Sequence, residues 1–94
     1  MPVVYKIYGY SIYVWSNENG EPAHFHICKG KQGHNNTKFW ILSDGNVVLC
    51  HNRSKYPKND LNKIIRTLNK DHWVQDKIVR MFIRRYGSVH FIND

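Results

Sequence analysis

The sequence has only two cysteines, three prolines and seven acidic residues in 94. Two cysteines, Cys28 and Cys50, cannot build the disulfide framework of a small secreted scaffold. No stretch approaches the roughly eighteen apolar residues of a membrane-crossing helix, and the N-terminus lacks the basic region, apolar run and cleavage site of a signal peptide. No membrane partner is expected, and the expected setting is a reducing cytoplasm. Phosphate-binding loops, nucleophile elbows, zinc-protease helices and closely spaced Cys-x-x-Cys pairs are missing too. Kinases, P-loop ATPases and standard hydrolases are therefore disfavoured, and no cofactor is implied.

Against those seven acids stand fourteen Lys and Arg, a formal charge of +7 and a pI near 9.6. Such a balance attracts anionic partners at long range, nucleic acid the commonest for a small basic domain; ordinary solubilising charge is the bland alternative. With 41% hydrophobic and 14% aromatic residues, the chain is too apolar for disorder. Its length suits one domain spanning 1–94.

Val3–Tyr8 and Ile12–Trp15 are β-branched and aromatic, with Gly9-Tyr10-Ser11 between them as a hairpin turn. Asn19-Gly20 and Pro22 precede a third strand, Ala23–Cys28. A polar loop from Lys29 to Thr37 leads to 38–42 and 46–51, which flank the Ser43-Asp44-Gly45 turn. The period then changes. Pro57 and Asn59-Asp60 announce a helix carrying Leu61, Ile64, Ile65 and Leu68. A second helix from about Asp71 buries Val74, Ile78, Met81 and Phe82 and ends at Gly87. Val89–Ile92 is apolar enough to return as a short last strand. The reading is α+β: a mostly antiparallel sheet of about five strands over 3–51, two helices over 59–86 packed on one face, and a terminal strand near 88–92.

Chemistry concentrates in Glu21-Pro22-Ala23-His24-Phe25-His26-Ile27-Cys28. The two-residue period of a strand sets His24, His26 and Cys28 on one face and Ala23, Phe25 and Ile27 on the other. In one reading His24 and His26 are general acid and base on an RNA phosphodiester. Lys38 or an arginine then stabilises the anionic transition state, and Glu21 or Glu18 orients an imidazole or acts as base. In a second, His24, His26 and Cys28 ligate a metal completed by His51, His34 or Cys50. Same-face Cα atoms about 6.5 to 7 Å apart rarely converge on one ion, so this set is not favoured. In a third, the row simply carries polar side chains to water.

Lys77, Arg80 and Arg84 recur at three and four residues on the second helix, and Lys63, Arg66 and Lys70 on the first, as rows that can grip phosphates or merely face solvent. Tyr8, Tyr10, Tyr13, Trp15, Phe39 and Trp40 could stack bases on an open sheet face, although a small domain needs such rings in its core. Trp73 and Tyr86 are expected between helices and sheet.

Ser16-Asn17-Glu18, then Glu21-Pro22-Ala23-His24-Phe25-His26, Lys38-Phe39-Trp40 and Lys55-Tyr56-Pro57-Lys58-Asn59-Asp60-Leu61 together resemble a small bacterial family, domain of unknown function 4160. The resemblance runs in order across most of the chain. Ala23 stands where a second proline is frequent, and Cys28 is an addition after the histidine pair. Gene arrangements in that family suggest toxin and antitoxin pairs. The expectation is a toxin-like protein that binds or cleaves RNA, as a metal-independent ribonuclease if it is an enzyme. The alternatives are an antitoxin or adaptor that binds a small acidic protein partner, and a histidine-ligated metal protein. No feature indicates an oligomeric state.

Overall fold

The fold is taken from a computed structural model that describes residues 3–15, 20–30 and 36–94. Strands β1 (Val3–Ile7), β2 (Tyr10–Tyr13), β3 (His24–Cys28), β4 (Thr37–Ile41) and β5 (Val47–Asn52) precede helices α1 (Lys58–Lys70) and α2 (Trp73–Tyr86). Each strand pairs antiparallel with the next, so the sheet order is β1-β2-β3-β4-β5 and β3 is central. The expected α+β architecture is the observed one.

Local chemistry explains most boundaries. The first turn is the pair Tyr8-Gly9, at φ 51° and 81°, rather than the expected Gly9-Tyr10-Ser11. Two left-handed residues match the twist of a two-residue hairpin and leave Tyr10 and Ser11 in the ladder. The β4–β5 turn uses Ser43-Asp44-Gly45 as expected, with the Asp44 carboxylate accepting from the Asn46 N–H at 2.9 Å. Helix α1 starts at Lys58, one residue before the expected 59, because Pro57, part of the expected start signal, takes the capping position and its carbonyl accepts from the Asp60 and Leu61 amides. Gly87 ends α2 at φ 82°, its N–H reaching the Ile83 carbonyl at 2.8 Å.

The helices cover one sheet face. Phe25 and Phe39, opposite one another across β3 and β4, stack at 5.1 Å and meet the inward stripes Leu61, Ile64, Leu68 and Val74, Ile78, Phe82 in one core. Gln75 is also buried there, and periodicity gives no hint of it. Its amide donates to the carbonyls of Gly45 at 2.9 Å and Leu68 at 2.7 Å, tying α2 to the β4–β5 turn and the end of α1. Buried polar groups persist when they meet such partners.

The segment 88–92 forms no strand. It is held by the Ala23 N–H donating to the His90 carbonyl at 2.9 Å and by Val89 and Phe91 packing on the core. A short tail anchored by two side chains satisfies its apolar residues without a ladder. Of the aromatics, Tyr10 and Phe39 join the core, whereas Trp73 does not insert between helices and sheet but stands 47% exposed at the rim.

Gly45, at φ 92°, lies where an added Cβ would come within 2.6 Å of His72 Nδ1. Gly45→Ala is expected to cost about 1–3 kcal/mol in urea unfolding. Gly20→Ala, at φ 90° but with nothing within 4 Å, should cost less; equal losses would mean that backbone strain alone, and not the His72 contact, demands glycine.

Candidate functional site

Directly opposed residues in an antiparallel sheet share a face. Tyr13, His26, Lys38 and His51 form one such row across β2 to β5, and His24, Trp40 and Val48 form the next. The alternation expected for His24, His26 and Cys28 therefore holds, and Cys28 lies on this face opposite Ser11. What does not hold is a polar row open to water. His24 is 0% exposed, and His26, Cys28 and Lys38 are buried as well.

Aromatic packing accounts for part of that burial. Tyr13 stacks on His26 at 5.4 Å, His24 and His26 meet edge-on at 5.2 Å, and Trp40 and Phe82 flank His24 at 6.0 and 5.5 Å. Phe82 belongs to α2, so the end of that helix reaches the histidine pair. His24 is oriented further by its Nδ1, 2.8 Å from the Pro22 carbonyl. A carbonyl only accepts, so Nδ1 is the protonated, donating nitrogen. Nε2 faces Glu21 Oε2 at 3.6 Å.

Glu21 links this imidazole to a cation. Its other oxygen, Oε1, accepts from Lys38 Nζ at 2.9 Å, and the same ammonium lies 4.4 Å from the Trp40 ring centroid. Of the expected catalytic set, Glu21, His24 and Lys38 are thus assembled in one charge-linked cluster with His26 beside it. Glu21 is its outlet to solvent, at 41% exposure. Glu21 lines a cavity of about 70 Å³ together with Gly20, Phe82, Tyr86, Ser88, Val89 and His90. The sequence alone assigns Tyr86 to packing and His90 to a strand. His90 is held near Glu21 by the Ala23–His90 backbone bond, which has no sequence signature, and Tyr86 arrives from the end of α2.

The metal set fares differently. Among the described residues no group of three His, Cys, Asp or Glu side chains is placed to hold an ion. In the cross-strand register Lys38, whose ammonium is turned to Glu21 and Trp40, separates His26 on β3 from His51 on β5. Neither cysteine is in a disulfide; Cys28 is buried and Cys50 exposed. Glu18 and His34 lie outside the described residues.

Lys63, Arg66, Lys77, Arg80 and Arg84 are all solvent-exposed, on helices that cover the opposite face of the sheet from His26 and Lys38. The sequence reading joins the histidines and these cations in one RNA site, but the sheet separates them except near the C-terminal end of α2. No helix among the described residues is long and apolar enough to cross a membrane.

A family model described as Domain of unknown function (DUF4160) matches residues 9–82. No curated protein and no solved structure matches the chain.

His51 carries the clearest titration signal of the row. Burial pushes its pKa below the ordinary value, and the charges of Arg53, Lys38 and His26 push it the same way. The unfolded chain then binds this proton more readily than the folded one, so stability is lost as pH falls below about 6.5. His51→Gln is expected to flatten that acid-side loss in urea titrations at several pH values. An unchanged slope would show that His51 is not its source. Glu21→Gln removes the carboxylate from a buried ammonium and should cost about 1–2 kcal/mol in the same titrations, discounted for the exposure of Glu21.

Proposed function

The chain belongs to the DUF4160 family of domains of unknown function, and from its surface charge we propose that it binds RNA through the basic faces of α1 and α2. The observation that carries this reading is the state of five cations. Lys63, Arg66, Lys77, Arg80 and Arg84 reach solvent, and among the described residues none of them forms an ion pair with a carboxylate. Asp76 stands four residues before Arg80 without pairing to it. Cations left uncompensated on two neighbouring helices, in a chain of charge +7, suit a polyanion better than an internal network does. In a toxin and antitoxin-type pair this makes the chain the toxin-like, RNA-directed member.

A second reading, RNA cleavage, has its own support. Glu21 is partly exposed in a cavity also lined by Tyr86, Ser88 and His90, and is backed by His24 and Lys38. A general base must touch the proton it takes, and His24 is fully buried. Glu21 is then the group that meets substrate. His24 and Lys38 position it, and Lys38 neutralises charge nearby.

Binding of a labelled RNA pool over a salt series tests the first reading. The triple variant Lys77→Gln/Arg80→Gln/Arg84→Gln is expected to bind at least tenfold more weakly and to flatten the log–log salt slope by about 2, near 0.7 for each single-strand phosphate neutralised by one of these side chains. Glu21→Gln should bind as wild type does. Affinity indifferent to the helix charges would favour the antitoxin or adaptor alternative. In the same samples, cleavage by wild type with or without chelator, and none by Glu21→Gln, is expected of the second reading; an uncut pool removes it and leaves RNA binding standing.

A further inference from the structure

Three aromatic side chains and two lysines meet along β1, one of the two edge strands of the sheet, where the histidine cluster has no part. Tyr5 is exposed on β1 and meets the Trp73 ring edge-on, with centroids 4.9 Å apart and planes at 80°. Tyr8 follows in the turn, 46% exposed, with Lys63 Nζ 4.2 Å from its ring centroid and its hydroxyl 2.7 Å from Thr67 Oγ1. Along an extended chain Tyr5 and Tyr8 are roughly 10 Å apart. Lys77, one turn beyond Trp73, reaches the Val4 carbonyl at 3.5 Å.

This edge continues into the basic helix. Trp73, Lys77, Arg80 and Arg84 stand at i, i+4, i+7 and i+11, one side of α2 over about 17 Å. Asp71 and Asp76 border the stripe, and neither pairs with its cations among the described residues. Tyr8 also departs from ordinary backbone. A tyrosine at φ 51° is uncommon and costs conformational energy, and here it holds a large ring half out in water beside a lysine. A bulge between Val3 and Tyr5 breaks the edge's regularity, and Lys77 occupies a carbonyl there, so the edge is ill suited to adding a strand from a second copy.

We propose that the β1 edge is a stacking platform for the unpaired bases of single-stranded RNA. Tyr8 and the Tyr5–Trp73 pair present rings to bases, and Lys63, Lys77, Arg80 and Arg84 track the phosphates. This rests on the RNA-binding reading above and adds to it the strandedness of the ligand and the rings that meet it. Every base has a π-face, so recognition of this kind tolerates many sequences but requires unstacked bases.

The test compares an unstructured, labelled RNA of about 12 nucleotides with its duplex at one salt concentration. Wild type is expected to prefer the single strand at least tenfold. Tyr8→Ala and Trp73→Ala should each lower single-strand affinity roughly tenfold with duplex binding unchanged, and Tyr8→Phe and Trp73→Phe, which keep a ring, should restore it. Single-strand affinity unchanged in the alanine variants but weakened by Lys77→Gln with Arg84→Gln overturns the platform and leaves RNA binding intact. No binding to either RNA overturns both. Self-association of wild type that Trp73→Ala abolishes overturns the platform in favour of a contact between copies.

Discussion

The structure depends on burying β3 on both faces. On the helix side this is simple: Phe25 and Ile27 enter the core beneath α1 and α2. On the other side the same strand buries His24 and His26, and polar groups taken from water must find partners. That requirement explains why Glu21, Pro22 and Lys38 stand where they do. The Pro22 carbonyl fixes one nitrogen of His24, the Glu21 carboxylate faces the other, and Lys38 balances the carboxylate. A central strand written His-Phe-His-Ile-Cys is tolerable because each flanking element supplies a charge or a ring.

Two groups of basic residues consequently differ in their physics. Lys38 and His51 lie on the histidine face, where Lys38 is held by a carboxylate and an indole, and burial and neighbouring charge push the His51 pKa below its ordinary value. The cations of the helix rows reach solvent and have no carboxylate partner among the described residues. The second group, unlike the first, projects a field that an approaching polyanion meets without a carboxylate partner in between. Net charge alone, read from composition, mixes the two.

Much of the fold was legible because period and turn chemistry are local. The change from strand alternation to the spacing of Leu61, Ile64 and Leu68 is plain in the sequence, as are the Asp44-Gly45 turn and the Gly87 stop. What was not legible depends on contacts between distant segments. The Tyr8-Gly9 turn needs a tyrosine at positive φ, which propensity disfavours, and it is accompanied by the contacts of that ring with Lys63 and Thr67. The burial of Gln75 comes from two carbonyls that only the assembled fold presents. At the candidate site, the residue types and their shared face could be read from alternation. Their burial could not, because Phe82 and Trp40 arrive from another helix and another strand.

Separating the histidine cluster from the exposed cations gives the end of α2 a particular importance. Phe82 touches His24, Tyr86 and Glu21 line one cavity, and the tail after Gly87 returns to bond Ala23, immediately before the histidine strand. Arg80 and Arg84 precede and interleave these contacts on the same helix. An anion gripped by the stripe therefore loads the element that packs against His24, while the stripe's other end at Trp73 meets the edge strand. Any coupling between RNA binding and the Glu21–His24–Lys38 cluster has to pass through that short turn, because elsewhere the sheet stands between them.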